Sequence, residues 1–252
     1  MRIPQVLREI AAGSLSGIVV GILVGGLGAR LVMRLSALAA DSFVQGVTTA
    51  NGNRVGEITL NGTIGLVVFG GVFAGIFGGL LYASVRPWLT PFARWRGLIF
   101  GLGLLGLAGS LILDAANSDF IVLRPPLLNV AMFGALFLIF GIAIAPMFDR
   151  TLRALAEDSL VSGALAFLGT VAAALFVGLG LVSGFGALAS GPTTFDLISL
   201  LMLGLIVVGL AARALGDRLA APPWRLASYG LLIAAFLVGA AYTYGSVVRI
   251  LT

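Results

Sequence analysis

The sequence predicts an all-α integral membrane protein, a single bundle of about seven transmembrane helices with the N-terminus inside and the C-terminus outside. Three observations predict it. The 252 residues are 60% hydrophobic and 10% charged, with mean hydropathy +1.13, whereas soluble domains carry about 25% charged residues. Charge-free runs recur at lengths that cross a hydrocarbon core of about 30 Å at about 1.5 Å per residue. The 15 basic residues, all arginine, fall between those runs in ones, twos and threes rather than in the stripe that nucleic acid needs.

The first span covers residues 10–32. On a helix its Gly13, Gly17, Gly21 and Gly25 recur every four residues and form one nearly side-chain-free face, where another helix backbone can approach closely. Arg2 and Arg8 before it, with Ala37-Leu38-Ala39 after it, resemble a cleavable signal peptide, but the run is too long and two arginines intervene, so we read it as a retained span. The second span, 63–85, repeats the small-residue spacing with Gly71, Gly75 and Gly79. The third, 97–113, is short and carries Gly97 and Gly101; the fourth is 127–147.

Residues 159–195 are too long for one crossing and too short for two with a turn. We read a helix over 159–182, then a glycine-rich outer segment through Gly184, Gly186, Gly191 and Pro192. Spans six and seven follow at 197–212 and 226–248, and the short polar linker 149–158, with room for one or two helical turns, divides a four-helix half from a three-helix half of one domain. The long outer loop 41–62 reads as a β-hairpin, with alternation around Val47-Thr48-Thr49, an Asn51-Gly52 turn, and Val55 to Leu60 as the return.

Orientation follows from arginine retention on the cytoplasmic side. N-in with seven spans puts Arg2, Arg8, Arg86, Arg94, Arg96, Arg150, Arg153, Arg213, Arg218 and Arg225 inside, against Arg30, Arg34, Arg54, Arg124 and Arg249 outside. Splitting 159–195 into two spans erases that bias. Arginine-only, alanine- and glycine-rich usage fits a GC-rich bacterial genome, hence a bacterial inner membrane.

Absences narrow the chemistry. No Cys means no thiolate, disulfide or iron–sulfur ligation, and no His removes the commonest haem and zinc ligand. No Lys excludes a retinal Schiff base. No cofactor and no metal are therefore expected. Deep positions hold hydroxyls, Thr170 and the Tyr242-Thr243-Tyr244 cluster, but no acid or base, which disfavours a proton-coupled relay. Ser-His proteolysis lacks its histidine.

Polar material gathers at the outer face. Arg30 and Arg34 lie one turn apart, with Asp114, Asn117 and Asp119 after span three. One reading makes these a staple between spans one and three, with Arg30 or Arg34 paired to Asp114. The other makes the two guanidinium forks a site for an anionic lipid or carboxylate head. Asp114 and Asp119, five apart, would point about 140° from each other on a helix, a poor divalent-metal pair. The leading expectation is a non-enzymatic packing or assembly module that binds other membrane proteins, a second copy, or lipids. The alternative is a permease or channel for a small or apolar solute, and a lipid-modifying enzyme comes third.

Overall fold

The computed structural model describes residues 4–39, 59–114, 125–157, 159–215 and 222–252. Among them every regular element is helical. The first helical run is α1, Gln5–Val20, a π-helical segment Gly21–Gly28, and α2, Ala29–Ala39. The second is α3, Leu60–Gly65, a second π-helical segment Leu66–Phe73, and α4, Ala74–Leu89. A 3₁₀ link, Thr90–Trp95, leads to α5, Arg96–Ala108, which ends in a 3₁₀ turn at Gly109–Leu111. Then come α6, Pro126–Ala154, α7, Leu160–Ser190, α8, Thr194–Leu215, and α9, Pro222–Leu251.

Six of these runs are long and apolar enough to cross a membrane. One of them, Leu60–Leu111, is 52 residues long and is broken at Ala93, whose φ of 44° and ψ of −114° leave helical space. Neighbouring contacts show that the chain turns back there. Gly97 and Gly101 of α5 meet Gly141 and Phe137 of α6, an antiparallel pairing. By contrast Gly78 and Tyr82 of α4 meet Phe140 and Phe148 of α6 in parallel order. So α4 and α5 run in opposite directions.

The first two runs cross with backbone against backbone. A Cβ built on Gly17 would lie 2.1 Å from the Gly75 carbonyl oxygen, one on Gly21 2.1 Å from that of Gly71, and one on Gly79 2.1 Å from that of Gly13. Side chains are excluded from this seam, and glycine alone permits it. Smaller versions recur where Gly141 meets Gly97 and Gly101, and where Gly169 meets Ala11. Thr243 of α9 closes the frayed end of α5: its hydroxyl donates to the Gly106 carbonyl at 2.9 Å and accepts from the Ser110 amide at 3.0 Å.

Three boundaries differ from the sequence reading. The run after Ser159 does not stop at 182 but stays helical for 31 residues to Ser190, a rod of about 46 Å. Interior glycine lowers helix propensity without forcing a stop, and Gly184 lies against Leu200 in the packing with α8; termination waits for Gly191, at φ 98°, followed by Pro192. The helix of the fourth span runs past 147 to Ala154, so that the one or two helical turns open to the linker are the last turns of α6. At the end of the expected hairpin, Leu60 opens α3 instead of closing a strand, with Thr59 accepting the Gly62 amide at 3.2 Å as its cap. The remainder of that hairpin, 41–58, lies outside the described residues.

Candidate functional site

Two regions concentrate features that packing alone does not require, and they lie at opposite ends of the bundle. At the end holding the N-terminus, ionic groups converge from elements far apart in sequence. Arg86 and Arg96 both bond the Asp149 carboxylate, Arg86 at 3.2 Å, and the Arg86 guanidinium lies 5.3 Å from the Phe148 ring centre. Glu9, on the first turns of α1, pairs with Arg213 near the end of α8. Glu9 is 5% exposed, and its carboxylate is held by that guanidinium on Oε2 and by the Gln5 side-chain amide, which donates to Oε1 at 3.3 Å. Beneath these pairs the interior is filled by Leu80, Tyr82, Ile144 and Phe148, all without solvent contact, and Tyr82 packs edge-on against Phe100 and Phe148.

The other end is built differently. A cavity of about 600 Å³ lies among α2, both π-helical segments, α4, α5, α6, α7 and α8. Eight of the chain's 16 phenylalanines line it, among them Phe73, Phe77, Phe137, Phe140 and Phe176. Phe176 touches both Phe73 and Phe77, with ring centres 6.1 and 5.7 Å away. The void arises because small residues, Gly25, Ala29, Ala74, Ala108 and Gly180, face the rings and leave space that no side chain fills. It is a half-open cleft, with the lining residues Phe69 and Phe195 70% and 59% exposed, and its volume falls in the range of ligand pockets, about 300–1,000 Å³.

The two π-helical segments lie against one another and form part of this wall through Val24, Gly25, Leu66, Phe69, Gly70 and Phe73. Stretches of π-helix are rare and concentrate at functional sites. The only polar residues on the lining are Ser183, Asp196 and Ser199, at the facing ends of α7 and α8. Asp196 is one turn from Ser199, and its carboxylate Oδ2 accepts the Thr193 amide at 2.9 Å and the Thr193 hydroxyl at 2.6 Å.

The residues singled out from sequence divide as follows. Gly13, Gly17, Gly21 and Gly25 meet Gly79, Gly75, Gly71 and Gly70, so the two glycine faces are joined within the chain. Arg30 and Arg34 lie on α2 beside the cavity-lining Ala29 and Met33, and Asp114 comes two residues after the cavity-lining Ile112, so all three belong to the cavity end of the bundle. Asn117 and Asp119 lie outside the described residues. Sequence reasoning missed both the cavity and the ionic groups at the opposite end. Glu9 and Asp149 each abut an apolar run, Ile10 onward and up to Phe148, and that adjacency was the available signal. No protein-family model, curated protein or solved structure matches the chain.

Proposed function

We propose that this chain is a seven-crossing membrane protein, N-terminus cytoplasmic, that acts as a non-enzymatic module by holding an apolar, lipid-like molecule in the phenylalanine-lined cavity. The observation that carries the reading is the cavity itself: ligand-sized, almost wholly apolar, and confined to one half of the bundle. Seven crossings follow from the reversal at Ala93 inside the 52-residue run, and the orientation follows from the arginine distribution. The cavity half then lies toward the outer leaflet.

A lipid occupant fits better than assembly through the first two glycine faces, because those faces are already buried against each other. It also fits better than passage of a polar solute. Below the cavity Leu80, Tyr82, Ile144 and Phe148 are fully buried across the interior, and the cavity carries hardly any group to replace a solute's hydration.

The test is native mass spectrometry of the protein purified in nanodiscs, comparing the wild type with Ala74→Trp and Gly180→Leu. Ala74 lines the cavity, and a Cβ on Gly180 would meet only the end of the Leu203 side chain, at 3.3 Å, so both variants fill space without breaking the glycine seam. The wild type is expected to retain a bound apolar molecule that both variants lose while unfolding at the same temperature within a few degrees. Equal lipid content in all three proteins would defeat the reading.

A further inference from the structure

Many hydroxyl groups on these helices bond to the carbonyl one turn back. Ser14 bonds Ile10, Ser84 bonds Leu80, Thr151 bonds Met147, Thr170 bonds Ala166, and Ser190 bonds Gly186, at 2.7–3.1 Å. Such back-bonding is the ordinary way a hydroxyl is satisfied where water is scarce. Ser183 and Ser199, like Ser36 and Ser110, have no side-chain hydrogen-bond partner among the described residues, and of these four only Ser183 and Ser199 line the cavity. Asp196 joins them there. Its Oδ2 is held by Thr193, which leaves Oδ1 as an acceptor that no described residue occupies. The pairing of Gly184 with Leu200 and of Gly180 with Leu203 sets Ser183 at the same height as the first turns of α8, where Asp196 and Ser199 stand.

These three residues define the polar part of a ligand. Asp196 only accepts, while the two serine hydroxyls both donate and accept. A head group complementary to them must donate to Asp196, and can donate to or accept from either serine. A hydroxyl does this without carrying a charge; a carboxylate or phosphate offers Asp196 nothing and repels it, and an ammonium, which can donate to all three, must bring its charge out of water into a lining that is otherwise apolar. Resting on the reading of the cavity as a lipid site, we propose that its ligand is a long-chain or isoprenoid alcohol, its hydroxyl held by Asp196, Ser183 and Ser199 and its hydrocarbon lying among the phenylalanines.

The experiment uses the full chain in phosphatidylcholine nanodiscs and a long-chain alcohol carrying a diazirine in its tail, with cross-linked peptides mapped by mass spectrometry. Oleyl alcohol, oleate and oleylamine compete. Cross-links are expected on the cavity-lining stretches of α4, α6 and α7, and oleyl alcohol should displace the probe at about a tenfold lower mole fraction than oleate, the worth of one hydrogen bond to a charged group. Asp196→Asn, which keeps the cap to Thr193, should abolish most of that preference, and the double variant Ser183→Ala/Ser199→Ala should weaken alcohol capture without improving oleate.

If oleate or oleylamine competes as well as the alcohol in the wild type, the head-group assignment is overturned while the cavity reading stands. The same holds if Arg30→Ala/Arg34→Ala loses capture and Asp196→Asn keeps it. Absence of cross-links in the cavity with any competitor withheld would overturn the assignment and the cavity reading together.

Discussion

The two halves of the bundle are made by the same helices yet packed to opposite ends. Toward the N-terminus, Tyr82 and Phe148 are fully enclosed and charged residues close the end by ion pairs. Toward the cavity, Phe69 and Phe73 remain 70% and 40% exposed. Helix α4 and the segment preceding it pass through both environments, as does the glycine seam. The seam therefore does not decide where space opens. What decides it is the size of the residues flanking the seam: large side chains interlock in one half, and small ones face phenylalanine rings in the other. A membrane bundle that gains no hydrophobic driving force between its helices must rely on such close contact for stability. A ligand-sized gap is then a feature the closely packed half has to support.

The strongest way to break the comparison is to break the seam common to both halves. In Gly17→Leu the new Cβ would stand 2.1 Å from the Gly75 carbonyl oxygen and 3.2 Å from the Gly79 Cα, with backbone on both sides and no flexible atom to yield. We expect a loss of about 3 kcal/mol or more, which reads as failed accumulation in the membrane or aggregation on extraction, at the upper end of overpacking costs. Gly103→Leu, at a glycine whose Cβ would meet nothing within 4 Å, should behave like the wild type. Equal yields of folded protein from the two variants would show that the seam is not what joins the halves.

Glu9 and Arg213 test the closed half alone. Their side chains are 7% and 17% exposed, so removing one partner leaves a charge with little solvent to replace it. Glu9→Ala is expected to lower stability by about 3 kcal/mol, whereas the double variant Glu9→Ala/Arg213→Ala should recover more than half of that loss, because an uncompensated buried charge costs more than the pair contributes. Thermal unfolding in mild detergent reads both. Additive losses would mean that the pair does not act as a unit.

Much of this architecture was legible in the sequence, and the limits have physical causes. Apolar length marks a helix wherever it occurs, and glycines every four residues mark a face, because both are properties of a single helix. That Gly17 meets Gly75 was foreshadowed by the same spacing in the second run. The length of α7 was not legible, since Gly184 and Gly186 weaken a helix without ending it. Nor were the ionic contacts, because their partners lie 204, 63 and 53 residues apart, whereas Asp114, Asn117 and Asp119 attract notice by being neighbours. The π-helical segments and the cavity depend on how several elements meet, and no periodicity of one stretch encodes a space among many.

The smallest effect is the most discriminating. Tyr82 is fully buried in the closed half, and its hydroxyl has no hydrogen-bond partner among the described residues. Its ring is fixed by Phe100 and Phe148 at 5.1 and 5.4 Å, so Tyr82→Phe removes the oxygen without moving the aromatic contact. A hydroxyl buried without a partner costs about 1–3 kcal/mol relative to one that is bonded. Tyr82→Phe should therefore leave stability unchanged or raise it by up to about 1 kcal/mol, a rise of a few degrees or less in unfolding temperature for a chain of this size. In the cavity half the matching substitution, Ser199→Ala, should likewise leave the empty protein as stable as before, yet it removes a group we assign to ligand. The two variants then look alike in thermal unfolding of delipidated protein and diverge only when an alcohol is added, which protects the Tyr82→Phe protein more than the Ser199→Ala one. Loss of stability in Tyr82→Phe would instead place a bonded polar group inside the closed half. The contrast between the halves would then be one of degree, two polar pockets of unequal size rather than a closed end supporting an open one.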